Sequence, residues 1–314
     1  MIENLHLVDN QYPWVFRVFF FGLGACLGSF FNVCIYRIPK GDSVVKPGSR
    51  CDCGQSIAWY DNLPVLSWIL MRGKARCCGK SFSIRYLVVE VLTGFLFLLA
   101  WWLFGRTNPA QAIGIMILCG FLVPAVFIDL DHMIIPDVFS IGGAIIGVFF
   151  SCLFPALHGV SGTGIAAGIL GGVSSLVGIL VGSATIYWIG TLGEVALRKE
   201  AMGEGDVKLL GAIGAFCGWQ GALFSIFGGA CVGTILLLPF LLFRKAFPTS
   251  RETDSETPDE ESMERKSTPP AFGIPVPFGP MLAVGALLYV FFFREPVDTY
   301  FQSMHDILNE LTGS

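Results

Sequence analysis

The chain has 314 residues, of which 54% are hydrophobic and only 14% charged, and its mean hydropathy is +0.67. Soluble globular domains carry about 25% charged residues, so this composition argues against a soluble protein and for one whose main solvent is lipid. The formal net charge of -4 is small, and we expect no nucleic-acid partner. The N-terminus has no basic segment before its first apolar run, so we also expect no cleavable signal peptide.

Long apolar runs divide the chain into predicted membrane-spanning helices. A hydrocarbon core about 30 Å thick needs about 20 helical residues, and a helix satisfies its own backbone hydrogen bonds there. The pattern predicts an all-α polytopic membrane protein with about eight transmembrane helices. Seven is the main alternative, because the break between the sixth and seventh runs rests only on residues 218–221. The predicted spans are 14–35, 86–104, 110–128, 137–157, 163–190, 207–219, 221–243 and 279–294.

The distribution of basic residues predicts the orientation of these spans. With the N-terminus outside and the spans alternating, the inside segments hold sixteen of the chain's 20 basic residues, and a seventeenth, Lys208, lies just past the edge of one of them. Cytoplasmic loops of membrane proteins carry such an excess of Lys and Arg. The asymmetry therefore favours eight spans and a cytoplasmic location for the loops that carry these residues.

The same pattern predicts three regions. Residues 1–35 hold the N-terminus and the first transmembrane helix, and 36–85 form a cytoplasmic loop domain that contains cysteines. Residues 86–314 form the remaining transmembrane core. Within it, 250–270 is polar, acidic and rich in Ser, Thr and Pro, a composition that predicts a disordered cytoplasmic loop.

Two groups of acidic residues lie at the ends of predicted spans. The segment IDLDHMIIPD contains Asp129, Asp131 and Asp137, and the segment GEGD contains Glu204 and Asp206. Ionisable groups at membrane depth are costly, and they usually face a bundle interior or a wet cavity and carry function. Asp131 and Asp137 also suit helix ends, and Asp137 follows a proline where it could cap the next helix.

Asp129 and Asp206 are the candidate catalytic residues. They lie nearest the apolar runs and on the same predicted side of the membrane, and Asp206 ends a Gly-x-Gly-Asp segment whose glycines permit unusual backbone conformations. Two neighbouring carboxylates do not both ionise easily, so one keeps a proton while the other stays charged. This arrangement can activate water and polarise a carbonyl group, which is the chemistry of an aspartyl protease.

Several ordered segments resemble the type IV prepilin leader peptidases, a bacterial family of GxGD aspartyl proteases. The resembling segments are GSFFNVCIYRIPKG, SFSIRYLVVEVLTG, IDLDHMIIPD, GEGDVKLLGAIGAFCGW and PVPFGPMLAVGALL. The resemblance implies that Asp129 and Asp206 are the catalytic pair, with Asp131 as the rival for the first position.

The resemblance also implies substrates, a second activity and a location. The substrates would be prepilins, or the pilin-like subunits of type II secretion, cleaved after a Gly on the cytoplasmic side of the bacterial inner membrane. Many members then methylate the new N-terminal amine with S-adenosylmethionine, an activity placed in the N-terminal half. No Gly-rich nucleotide fingerprint in the sequence supports that cofactor independently.

Four cysteines in the loop 36–85 depart from the family pattern. The family loop commonly carries two Cys-x-x-Cys pairs, which suit a tetrahedral zinc site. Here the pairs are shortened to CDC and CC, and adjacent cysteines usually point apart. Zinc and four reduced thiols therefore stay open as alternatives, and Gly54 and Gly79 favour zinc because they resemble zinc-knuckle turns. The four residues are Cys51, Cys53, Cys77 and Cys78.

Two other functions stay open. The chain could be a peptidase without methyltransferase activity. From a different class, it could be an ion-coupled membrane transporter that uses its buried Asp residues as ion or proton sites. Transporters often show repeated halves, and no such repeat is visible here.

Overall fold

The computed structural model describes residues 11–246, apart from 52, 163 and 199–201, and residues 277–312. Within these residues the regular elements are helical, and the two β-bridges are isolated. The helices are α1 (Pro13–Arg37), α2 (Leu66–Leu70), α3 (Ile84–Phe104), α4 (Pro109–His132), α5 (Asp137–Leu153), α6 (Ile165–Leu197), α7 (Glu204–Ala246), α8 (Gly279–Leu288) and α9 (Arg294–Thr312). A π-helical turn, Tyr289–Phe293, joins α8 to α9.

The all-α membrane architecture predicted from the sequence is confirmed at this level. Six helices in the described residues are long and apolar enough to cross a membrane, and α5 is apolar but shorter. The break predicted at residues 218–221, between the sixth and seventh spans, coincides with Gly218 in α7. This residue has φ 71° and ψ -178° and interrupts the helix. The count of eight spans stays a prediction. The segment 250–270 lies outside the described residues.

Local sequence explains where α4 begins and ends. The Asn108 side chain accepts a hydrogen bond from the backbone N–H of Gln111 at 3.1 Å, and Pro109 occupies the first helical position. Both features stabilise a helix N-terminus. At the other end Met133 adopts a left-handed conformation with φ 54°. Asp129 therefore lies in the last turn of a helix that ends just beyond it.

Close contacts between small residues join the helices in two regions. In the first, α1 packs on α3 through Gly24 and Gly28, where a Cβ atom would meet α3 backbone atoms at 2.7 to 2.8 Å. In the second, α7 packs on α5, α6 and α8. The backbones of Gly178 and Gly214 meet between α6 and α7. Such contacts are typical of membrane helices, where small residues let backbones approach closely.

The loop between α1 and α3 contains two tight turns of similar form. Arg50 bridges to Ser56, and Lys74 bridges to Ser81. Gly54 and Gly79 lie within these turns with φ 88° and 70°, a conformation that glycine adopts without steric cost. The turns place the loop cysteines on facing hairpins.

Candidate functional site

Asp129 and Asp206 are both buried and lie near each other. Asp129, in the last turn of α4, is 5% exposed, and Asp206, in the first turn of α7, is 7% exposed. The two carboxylates are close enough for their charges to interact. The structure thus brings together the two residues that the sequence singles out, which we call the aspartate pair.

The N-terminal turn of α7 offsets part of the cost that burial and the neighbouring Asp129 impose on a negative charge at Asp206. The residue lies in the first helical turn, where the unpaired backbone N–H groups and the helix dipole stabilise anions. Its own backbone N–H donates to the carbonyl of Gly203 at 3.2 Å. Glu204, in the same turn, is exposed instead, so only Asp206 points into the helix bundle.

The carboxylate of Asp129 lies against the first residue of α8. Its Oδ2 atom is buried and makes no hydrogen bond of normal geometry within the described residues, although the backbone N–H of Gly279 faces this carboxylate. A Cβ atom on Gly279 would lie 2.6 Å from Oδ2. A buried polar atom without a partner is costly, so this oxygen is available to bind a water molecule or a substrate group. The N-terminus of α8 thus forms the third wall of the site.

The glycines of the GEGD segment have a different role from the one predicted. Neither Gly203 nor Gly205 has a positive φ, so the prediction that they supply unusual backbone conformations is wrong. Gly205 instead lies within the first turn of α7, where an added Cβ atom would approach Cβ of Ile135 to 3.1 Å. The side chain of Ile135 also packs against Gly279, with Cδ1 at 3.0 Å from an added Cβ. Position 205 therefore requires glycine because a side chain would crowd Ile135, and not because the backbone there adopts an unusual conformation.

Asp131 lies outside the pair. It is exposed and forms an ion pair with Arg85 on α3. The Arg85 guanidinium also donates to the carbonyl oxygen of Phe127 at 3.1 Å. Asp131 thus helps join α3 to α4, and nothing places it against Asp206.

Asp137 does not cap α5 as predicted. The N-cap residue is Pro136, and no side chain accepts a capping hydrogen bond there. Asp137 is the first residue of the helix, and its Oδ1 accepts from Nζ of Lys208 on α7 at 2.8 Å. The carboxylate is satisfied by this lysine, so it joins α5 to the turn of α7 that carries Asp206.

The four loop cysteines form a compact group, which we call the cysteine cluster. The Sγ atoms of Cys51 and Cys78 are 3.5 Å apart, and those of Cys53 and Cys77 are 3.4 Å apart. All four sulfur atoms lie within 4.8 Å of one another. The adjacent residues Cys77 and Cys78 therefore converge on the facing hairpin and do not point apart.

The cysteine cluster could hold a metal ion. With Zn–S bonds of about 2.3 Å, sulfur atoms in a tetrahedral site are about 3.8 Å apart, close to the separations found here. The backbone N–H of Cys53 and the thiols of Cys77 and Cys78 lower the pKa of Cys51 to about 7. Hydrogen bonds to Cys51 and Cys53 raise the pKa of Cys77 to about 12. A cation would stabilise all four groups as thiolates.

Sequence reasoning missed one buried carboxylate. Glu90 belongs to the predicted span 86–104, whereas the sequence pattern points only to the acidic groups at the ends of spans, those of Asp129 and Asp206. In the structure Glu90 is 8% exposed on α3, and its Oε2 accepts from the backbone N–H of Val65 at 2.7 Å. The sequence feature that could have identified this residue is a glutamate within an otherwise apolar run.

Comparison with known proteins places the chain in a family. The model of the bacterial peptidase A24 N-terminal domain matches residues 23–104, and that of the type IV leader peptidase family matches residues 116–238. No solved structure is significantly similar to the chain.

Three relatives carry the name prepilin leader peptidase/N-methyltransferase. The protein of Myxococcus xanthus is 37% identical over 247 residues, covering 77% of this chain and 68% of its own. That of Klebsiella pneumoniae is 34% identical, covering 70% and 94%. That of Xanthomonas campestris is 30% identical over 306 residues, covering 89% and 92%. The chain belongs to the type IV leader peptidase family.

Proposed function

We propose that the chain is a membrane aspartyl endopeptidase that removes the leader peptide of type IV prepilins or type II secretion pseudopilins. The observation that carries this is the aspartate pair, two buried carboxylates from α4 and α7 whose charges interact. The names of the relatives supply the substrate class. Cleavage follows a Gly and occurs at the cytoplasmic face of the bacterial inner membrane.

The aspartate pair performs hydrolysis as a unit. One carboxylate keeps a proton while the other is charged, because the two are close and shielded from water. The charged group takes a proton from a water molecule, whose oxygen adds to the scissile carbonyl carbon. The protonated group donates to the carbonyl oxygen. Collapse of the tetrahedral intermediate breaks the C–N bond, and a proton passes to the leaving amine. The pair shares its titration, so acid and base are not assigned to separate residues.

The orientation follows from the basic loops. We place the N-terminus outside and residues 36–85 in the cytoplasm as a loop domain, with 86–314 as the peptidase core and eight spans in all. The Arg85–Asp131 and Lys208–Asp137 ion pairs lie at the same helix ends as the aspartate pair. Charged groups concentrate where a helix bundle meets the membrane surface, which supports a site that opens towards that side.

The second proposed activity is methylation of the new N-terminal amine with S-adenosylmethionine. The names of the relatives include N-methyltransferase, and the match to the A24 N-terminal domain covers the loop that carries the cysteine cluster. When bound, S-adenosylmethionine supplies an electrophilic methyl group. The four residues of the cysteine cluster would hold a structural zinc ion, which would fix the two hairpins of this loop.

Incubation of the purified protein with a prepilin tests the proposed function directly. Mass measurement of the product N-terminus reports both cleavage and methylation. We expect a shortened product that begins after a Gly and carries one added methyl group. A product that lacks the methyl group would favour the peptidase without methyltransferase activity, and an intact substrate would favour the transporter alternative.

Asp131→Asn is expected to leave cleavage easily detectable. The substitution removes the charge that pairs with Arg85 on the surface, and exposed ion pairs contribute only about 0 to 1 kcal/mol. The rate of leader cleavage by the purified variant, set against Asp129→Asn, measures this. Complete loss of cleavage in Asp131→Asn alone would make Asp131 the first catalytic residue.

Purified protein is expected to contain about one zinc ion per chain, as a site with four cysteine ligands requires. Replacing Cys51 with Ser should abolish binding, whereas replacing Cys152, which is exposed in α5 away from the cluster, should not. Elemental analysis of the purified protein provides the measurement. Metal-free protein with four titratable thiols would support the reduced-thiol alternative.

A further inference from the structure

Glu90 is a buried carboxyl group for which the described residues supply no cationic partner. It lies about 9 Å along α3 from the first residue of that helix, within a segment apolar enough to cross a membrane. In the described part of the chain no Lys, Arg or His pairs with it. Its hydrogen-bond partner is the backbone N–H of Val65, and the hydroxyl of Ser29 on α1 faces the carboxylate. Carboxylates at such depth usually have a functional role.

The loop adopts an unfavourable conformation to reach this carboxylate. Val65 has φ 63° and ψ -52°, a region that is rare for a β-branched side chain and costs on the order of 1–3 kcal/mol. In this conformation its N–H donates to Oε2 of Glu90. Backbone strain of this kind concentrates at functional sites.

Glu90 lies on the wall of a cavity of about 390 Å³ between α1, α3 and the loop. The aromatic side chains of Tyr36, Trp68 and Tyr86 also line it. The indole N–H of Trp68 is buried and has no hydrogen-bond partner among the described residues. Carboxylates and aromatic faces together favour cationic ligands.

Four other charged residues line the wall, and none of the ion pairs between described residues joins them to Glu90. They are Arg37, Arg50, Asp61 and Lys80. Arg37 donates to the carbonyl oxygen of Ser43 at 2.9 Å, and Asp61 pairs with Arg76 at 2.8 Å. A small cationic group that reaches the wall at Glu90 would therefore complement this buried carboxylate.

We propose that this cavity binds the methyl acceptor, the α-amine that leader cleavage creates, and that Glu90 holds the ammonium form and takes its proton. The inference rests on the methyltransferase part of the proposed function. Leader cleavage releases an N-terminal amine whose unperturbed pKa is about 7.7–8.0. Most of it is protonated at neutral pH, and an ammonium nitrogen has no lone pair for methyl transfer.

The step balances with Glu90 as the base. The carboxylate accepts one proton from the ammonium group, and the freed lone pair attacks the methyl carbon of S-adenosylmethionine. A new C–N bond forms as the C–S bond breaks, and its electron pair stays on sulfur, which becomes a neutral thioether. The protonated Glu90 then returns its proton to water.

The position of the cavity suits a product released by the aspartate pair. α3 contacts both α1, on the cavity side, and α4, which carries Asp129. Arg85 on α3 joins Asp131 and Phe127 of α4, while Tyr86, the next residue, accepts from Asn32 on α1 through its carbonyl at 3.0 Å. One helix therefore separates the two sites.

Glu90→Gln in the full chain tests the proposal. The amide oxygen can still accept from Val65, but the charge is lost. We expect leader cleavage within about twofold of the wild-type rate and methylation at pH about 7 reduced at least about 100-fold, a typical contribution of a general base. The deficit should shrink by about tenfold or more near pH 9, where the amine is already deprotonated. Glu194→Gln, which removes an exposed charge on α6, is the matched control and should behave as wild type.

Binding without the methyl donor gives an independent readout. A synthetic peptide with the N-terminal sequence of the processed substrate, and the same peptide with its amine acetylated, are titrated against the full chain in detergent. The wild-type protein should prefer the free amine about tenfold or more, as expected for a charge-assisted hydrogen bond. Glu90→Gln should lose this preference.

Several outcomes would overturn the proposal. They are normal methylation by Glu90→Gln, a deficit that is equal at every pH, and an unchanged preference for the free amine. If Glu90→Gln does not fold, Ser29→Ala, which removes the hydroxyl that faces the carboxylate, should still lower methylation but not cleavage, and unchanged methylation there would refute the role. If the wild-type protein cleaves the substrate but does not methylate it, the proposed methyltransferase activity is refuted, and this inference is refuted as well.

Discussion

Replacing either Asp129 or Asp206 with alanine is expected to lower the rate of leader cleavage by at least about 10³-fold, which corresponds to about 4 kcal/mol of transition-state stabilisation. Each residue supplies one of two proton transfers, and neither has a neighbouring substitute, because Asp131 is exposed and paired with Arg85. The rate is measured with purified variants and a prepilin substrate, by the mass of the product N-terminus.

A control must show that the loss of cleavage comes from the missing proton transfer and not from misfolding of the variant. Asp129→Asn keeps the shape of the side chain but not its ionisation, so it should insert, purify and unfold like the wild-type protein while failing to cleave. Asp137→Asn, which breaks the exposed pair with Lys208, should remain active. Full activity in Asp129→Ala or Asp206→Ala would contradict the proposed mechanism.

Gly178→Ala is expected to have the largest effect on stability among single methyl additions. A Cβ atom on Gly178 would lie 2.1 Å from the carbonyl oxygen of Gly214 in α7, and a backbone atom cannot rotate away. The helices must separate, and overpacking of this kind costs about 1–3 kcal/mol or more. Because α7 carries Asp206 at its first turn, we expect cleavage to fall together with the thermal unfolding temperature.

Gly142→Ala on α5 provides the comparison. Its nearest neighbour would be Cε1 of Phe121 at 3.9 Å, an ordinary contact, and alanine is favoured over glycine within a helix by about 1 kcal/mol. This variant should be as stable as the wild-type protein or slightly more so. A Gly178→Ala protein with an unchanged unfolding temperature would show that α6 and α7 are further apart than the structure describes.

Much of the fold could be predicted because the membrane imposes a simple pattern. An apolar run of about 20 residues specifies a helix, and the runs 86–104 and 110–128 correspond closely to Ile84–Phe104 and Pro109–His132. The family resemblance is confirmed by the comparisons. Even the break at Gly218, proposed from four residues, coincides with a non-helical backbone.

The details of the site depend on contacts between distant parts of the chain. No local pattern shows that Ile135 presses against both Gly205 and Gly279, or that Gly279 lies beside Asp129. The apolar pattern does not reveal Glu90, because one charge barely changes the hydropathy of an otherwise apolar run. The convergence of Cys77 and Cys78 on Cys51 and Cys53 likewise required the geometry of two hairpins.

The last turn of α4 also separates two acidic residues that are neighbours in the sequence. Successive residues of an α-helix are rotated by about 100°, so the side chains at 129 and 131 leave the axis about 200° apart. Asp129 is buried within the bundle, and Asp131 faces outward to Arg85. Moving a carboxylate from one position to the other would therefore carry it across the helix to the opposite face. The acid already present at 131 cannot compensate for a loss at 129, and the two positions answer to separate requirements, one for hydrolysis and one for holding α3 in place.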